Sequence, residues 1–117
     1  MEKITINGVE YVPAPSAASV DGPRYVIVRC TGAGVHAGFL KSFDPATACA
    51  ALLSSRRLWR WHGRTLSGLA IEGTDCASKC KFGDELPEIT LLGVCEVIPC
   101  SSAAMISLRG VDRWKNE

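Results

Sequence analysis

Net charge, histidine, aromatic side chains and long apolar runs are all scarce in this sequence. Thirteen Lys or Arg face twelve Asp or Glu among 117 residues, a formal net charge of +1. That balance excludes a chain that coats nucleic acid or a membrane by bulk charge, and leaves attraction to local patches. No apolar run approaches the roughly 18 residues needed to cross a bilayer as a helix. The opening MEKITINGVEYV alternates like a strand and carries charges, instead of the basic and then apolar segments of a secretory leader. A cytoplasmic protein with no membrane partner is expected. G-x-S-x-G, H-E-x-x-H and Walker patterns are all missing, and the only imidazoles, His36 and His62, sit in no recognisable dyad with a thiol. No enzyme activity and no cofactor are expected. Asp75, Asp84 and Glu85 lie in a Gly- and Lys-rich stretch that reads as a solvated loop.

What is present is a globular composition, 47% apolar, long enough for one core and too short for two. Six cysteines (Cys30, Cys49, Cys76, Cys80, Cys95 and Cys100) would suggest disulfides in a secreted chain. Without a leader they read as free thiols. The spacings Cys76-x3-Cys80 and Cys95-x4-Cys100 also suit a four-thiolate zinc site. A strand through residues 91–98 opposes this, because extending it to Cys100 sends the second pair to opposite faces. No metal is expected.

Residues 1–12 form one unit: strands at 4–6 and 9–12 flank Asn7-Gly8, the dipeptide best suited to a type I′ turn, which predicts a β-hairpin. Residues 13–23, PAPSAASVDGP, read as a linker or surface loop. Residues 24–117 then form a single globular domain. Strands are predicted at 25–30, 35–43, 47–53, 57–61 and 88–98, with a turn at Asp44-Pro45; the Ala-rich 46–53 could instead make a helical turn or two. Thr65 caps a helix at 66–72 that Gly73 ends and Gly68 weakens, and Ser101 or Ser102 caps another at 103–108 that Gly110 stops. The expected fold is α+β and β-dominated: a small curved antiparallel sheet, or an SH3-like or Sm-like barrel, with one or two short helices.

Gly32-Ala33-Gly34-Val35-His36-Ala37 fits the G-x-G-x-x-A dinucleotide fingerprint. That motif needs a helix after its glycines, and Asp44-Pro45 leaves no room for one. A tight strand-to-strand turn is expected, with Gly32 and Gly34 supplying positive φ.

SSRRLWRWHGR, residues 54–64, is the best candidate surface. On a strand, Arg57, Trp59 and Trp61 share one face, while Arg56, Leu58, Arg60 and His62 share the other. With Arg64, these residues (Leu58 apart) make a basic-aromatic patch able to hold phosphates and stack on bases. The competing reading makes Trp59 and Trp61 core anchors with arginine stems along the rim. Lys41 and residues 79–81 extend the patch only if the fold brings them near.

YVIVRC with AGVHAGFLKS, RRLWRWHG with TLSGLAIEG, CKF, and EITLLGVCEVIPC ending near Trp114 together resemble a family of small proteins of tailed bacteriophages and prophages, over about residues 25–114. The resemblance implies a phage context, a bacterial host cytoplasm and no catalytic residues. The chain departs from the pattern at Gly32, at Arg60 and His62 around Trp61, and at Gly68. Three functions follow as expectations. The first is a non-enzymatic accessory protein that binds a host protein, for example in counter-defence. The second is a nucleotide or nucleic-acid binder using the patch, nucleotide sequestration included. The third is a minor structural or assembly component. A homo-oligomer is compatible with each.

Overall fold

The structure is a computed structural model and describes residues 4–6, 9–11, 24–62 and 64–114. The N-terminal strands β1 (Ile4–Ile6) and β2 (Val9–Tyr11) pair as the expected antiparallel hairpin, Ile6 opposite Val9. The Asn7-Gly8 turn and the 13–23 linker lie outside the described residues.

The remaining strands are β3 (Tyr25–Cys30), β4 (Gly34–Asp44), β5 (Cys49–Arg60), β6 (Lys81–Phe82), β7 (Leu86–Leu91) and β8 (Val94–Pro99). They form one six-stranded sheet in the spatial order β8-β3-β4-β5, with β6 and β7 sharing the far edge of β5, and every pairing is antiparallel. The described residues also form two helices, α1 (Leu66–Glu72) and α2 (Ser102–Arg109), with a 3-10 turn at Ala77–Lys79. The fold is α+β and β-dominated, as the sequence predicts.

β3 shows why both faces of the sheet are covered. Tyr25 and Ile27 point into a core shared with Leu69 and Ala70 of α1 and Leu108 of α2, whereas Val26, Val28 and Cys30 join Leu52 and Leu91 in a second core on the opposite face. An uninterrupted apolar run is the signature of a strand buried on both sides. The second core also gathers Val94 and Val97 of β8 against Leu91 of β7, residues from opposite edges of the sheet. Such a meeting requires a strong curl. Leu92-Gly93 bridges the two edges, the Gly93 carbonyl accepting from the Thr31 amide at 2.9 Å and the Val94 amide donating to Ala48 O at 3.0 Å. No ladder joins β7 to β8 among the described residues, so the sheet is curled but open.

Both helix starts follow the predicted capping chemistry. The Thr65 hydroxyl accepts from the Gly68 amide and Ser101 from the Ala104 amide, and Gly73 and Gly110 end the helices. The strand predicted over 88–98 divides at Leu92-Gly93, where Gly93 has φ +70°. The predicted 47–53 and 57–61 strands instead fuse into β5, and the Ala-rich stretch is strand, not helix. In the β3–β4 turn, Gly34 adopts φ +85° while Gly32 does not enter the left-handed region, correcting the expectation that both glycines were needed there.

β5 stays continuous because a bulge absorbs its bend. Ala37 pairs with Arg56 and Phe39 with Leu53, so Gly38 alone faces Ser54 and Ser55, and Ser54 takes φ +48°. Extra residues of this kind bend a strand and re-aim its side chains. Gly38 is needed for the approach, since a Cβ there would lie 3.0 Å from Leu53 O and from the Ser55 Cα and Cβ. Gly38→Ala is therefore expected to destabilise the fold by about 1–3 kcal/mol in urea unfolding. Gly32→Ala, whose Cβ meets nothing within 4 Å, should stay within about 0.5 kcal/mol of the parent.

Candidate functional site

The C-terminal half of β5 delivers the predicted patch, and the structure divides it. Arg56 is 4% exposed and belongs to the interior. Its Nε and Nη2 donate to Gly83 O at 3.0 and 2.9 Å, and its Nη1 donates to Val111 O at 2.6 Å and Leu108 O at 3.1 Å. The guanidinium also lies 5.3 Å from the Phe82 ring centroid. Burial pulls its pKa down, and the nearby carboxylates Glu85, Asp84 and Asp112 oppose that pull. With its donors spent on carbonyls, Arg56 is a structural cation and not a surface one.

Arg57 and Trp59 point outward on the same face, as strand alternation requires. A bulge where Leu58 pairs with Phe82 and Arg60 with Lys81 brings Arg60 beside β6. Trp61 lies past the end of β5 and packs, half-buried, against the helix-covered core. The two tryptophans therefore separate: Trp61 is the core anchor, while Trp59 is 60% exposed. His62 is exposed at the strand end. Arg64 is tied to the Glu72 carboxylate at 2.6 Å and to Asp75 at 3.5 Å.

The sequence reading did not anticipate Trp114. Its amide donates to Phe82 O at 2.8 Å, and Arg113 forms a parallel bridge with Phe82, so the C-terminal segment lies against β6. The Trp114 ring then meets Trp59, with centroids 5.6 Å apart and planes inclined by 49°. Lys81 Nζ sits 4.8 Å from the Trp114 centroid, within cation–π range. A cleft of about 440 Å³ opens here, lined by Arg60, His62, Ser78, Lys79, Lys81 and Trp114. A smaller hollow of about 270 Å³ lies between Arg57, Trp59, Asp84, Leu86 and Ile89, with His36 at its base. The fold thus brings Lys79 and Lys81 to the patch but not Lys41, which pairs with Glu88 at 3.2 Å.

The pattern of ion pairs singles out this surface. Arg29, Lys41, Arg64, Arg109 and Arg113 each hold a carboxylate. Among the described residues, Arg57, Arg60, Lys79 and Lys81, which lie together here, hold none, and the other such surface cation is Arg24, just before β3. Cations without a carboxylate partner, three of the four exposed, next to an exposed indole, suit a ligand that is both anionic and aromatic.

Elsewhere the titratable groups serve the fold. His36 is buried, its Nε2 2.8 Å from Ala33 O, and desolvation lowers its pKa, which keeps the imidazole neutral. Cys95 is exposed with its thiol on Arg29 O, whereas Cys100 packs against the helix-covered core. Among the described residues no three His, Cys, Asp or Glu side chains converge as a metal site.

Residues 23–108 match the family model described as Domain of unknown function (DUF6948). The matched span includes β5, β6 and the basic residues of the cleft, and ends before Trp114. No curated protein and no solved structure matches the chain.

Two outcomes follow from these placements. Arg56→Met would strand the Gly83, Leu108 and Val111 carbonyls, and at roughly 1 kcal/mol or more per buried acceptor should cost about 3 kcal/mol in chemical denaturation. Arg57→Ala should leave stability within about 0.5 kcal/mol. Burial also pushes the Cys100 thiol up to about 12 and raises the Tyr25 phenol, whose hydroxyl finds no partner among the described residues. Both groups keep their protons in the folded state after the unfolded chain has lost them. Their contribution is complete below pH 9.0, the ordinary thiol value, and is lost as pH rises toward 12. Thermal midpoints should fall over that range, and fall less steeply in Tyr25→Phe/Cys100→Ala.

Proposed function

The chain belongs to the DUF6948 family, whose function is unknown, and from that premise we propose that it is a non-catalytic binding protein for nucleotides or nucleic acid. The observation that carries the reading is the set of cations around the Trp59–Trp114 pair that hold no carboxylate among the described residues. Stacking on an indole and charge-assisted contacts to phosphate are the two interactions every nucleotide can make without its sequence being read. The cleft volume of about 440 Å³ is in the range of small-molecule sites. An overall charge of +1 matters little here, because the attraction is local.

A second reading is a phage-encoded accessory protein that engages a host protein. It rests on Ile71 of α1 and Ile106 of α2, apolar side chains 66% and 68% exposed on neighbouring helices. Clustered exposed apolar surface is a feature of protein-binding faces.

Titration of tryptophan fluorescence with an oligothymidylate of about twelve nucleotides, at several salt concentrations, tests the first reading. Trp59→Ala should weaken binding about tenfold, the loss of one base stack. The logarithm of the association constant should fall with that of salt by about 0.7 per phosphate neutralised. Binding that ignores both Trp59 and salt, or no binding at all, would reject it. A host protein captured through the helices and lost in Ile71→Glu/Ile106→Glu would favour the second reading.

A further inference from the structure

The cleft and the smaller hollow share no lining residue, and the Trp59–Trp114 pair forms the ridge between them. They differ in chemistry. The cleft is phosphate-like in its demands, with Arg60, Lys79 and Lys81 around Trp114. The hollow offers one cation, Arg57, and one carboxylate, Asp84, which Arg113 holds at 3.3 Å, beside an apolar wall made of Trp59, Leu86 and Ile89. Leu86 is 45% exposed, so this wall is open to a planar group lying against the free side of Trp59. Arg57 and Arg60 are three residues apart on one strand, so their Cα atoms stand roughly 10 Å apart. They flank the ridge instead of converging on one point.

We infer, resting on the nucleotide-binding reading above, that the natural ligand is a continuous single strand spanning both depressions, at least two nucleotides long, and not a lone nucleotide. One phosphate group lies over Arg60, Lys79 and Lys81. The strand then crosses the ridge, one base stacks on Trp59 against Leu86 and Ile89, and the next phosphate meets Arg57. A mononucleotide can occupy only one side and forfeits the contacts of the other. A duplex keeps its bases stacked on each other and cannot offer one to Trp59.

The test is a length series of oligothymidylates, from the mononucleotide to about eight nucleotides, titrated by calorimetry into the parent and into Arg57→Ala. Arg57 carries no ion pair among the described residues, and equal thermal midpoints establish that the variant folds. The expected result is a rise in affinity of at least tenfold between one nucleotide and three or four, a flat response beyond the length of the two depressions, and loss of most of that rise in Arg57→Ala. If the mononucleotide binds but longer strands bind no more tightly, or a matched duplex binds as well as the single strand, the two-subsite inference fails while the nucleotide reading stands. If no member of the series binds, both fail.

Discussion

A buried guanidinium sets the geometry of this protein. Arg56 leaves β5 on the face covered by the helices and ends among the carbonyls of Gly83, Leu108 and Val111. Leu108 lies in the last turn of α2, where the unsatisfied carbonyls and the negative end of the helix dipole favour a cation. The same side chain therefore closes the C-terminus of α2 and pins the loop after β6. It also holds Val111, from which the chain turns to run beside β6. Trp114 is three residues further on, and its amide reaches Phe82 O only along that path. The surface pair Trp59–Trp114 is thus set by a buried charge. A cation in this position must be almost fully satisfied, because an unmet donor or an uncompensated charge in the interior costs more than the bonds return.

Arg56 reaches the interior because of the Ser54 bulge. Side chains along a strand alternate between faces, so one additional residue exchanges the inner and outer sets for everything beyond it. Leu52 before the bulge belongs to the core inside the curl, whereas Leu58 after it belongs to the core beneath the helices. The bend lets a single strand serve two partners on its outer edge, β7 along its first half and β6 along its second. It also turns Arg57 and Trp59 toward solvent beside the segment that carries Lys79 and Lys81. Gly38 is the counterpart of the bulge on β4, where only a hydrogen fits against the Ser55 backbone.

These dependencies explain which features the sequence made legible. The N-terminal pairing, the apolar run 25–28 that opens β3, the turn after Asp44 and the caps at Thr65 and Ser101 all show in patterns a few residues long, and the pattern at each position was sufficient. Asp44 illustrates the point, its carboxylate accepting from the Ala46 amide at 3.0 Å to start the turn read from Asp44-Pro45. Arg56 was not legible. Within SSRRLWRWHGR it looks like its neighbours, and the carbonyls that claim it lie 27 to 55 positions away. Nor could Trp114 be matched to Trp59, since no periodicity links positions so distant. The separation of Trp59 from Trp61 depended on where β5 ends, and element boundaries follow from tertiary pairing more than from local preference. Gly93 was hidden for a different reason: isolated in an apolar run, it read as part of one strand although it marks the joint between two.

The distribution of charge follows from the same tertiary pairings, and it decides where positive charge is left without a carboxylate. Thirteen basic residues nearly cancel twelve acidic ones, and a uniform spread would leave no surface with a strong potential. Among the described residues, five are neutralised in place by carboxylates brought within reach, Arg29 by Glu96 and Arg109 by Glu85 among them, and Arg56 is withdrawn inside. The Arg109 guanidinium also holds the Glu85 carboxyl below its ordinary range, so that pair stays ionised and mutually occupied over the neutral pH range. Beyond Arg24 at the start of β3, the described cations left over are Arg57, Arg60, Lys79 and Lys81, and β5 and β6 place them around one pair of exposed indoles. Exposed ion pairs contribute little stability individually, but each removes a cation from competition for an anion elsewhere. The fold concentrates unpaired positive charge by subtraction, which is why a nearly neutral protein can present a locally cationic aromatic surface.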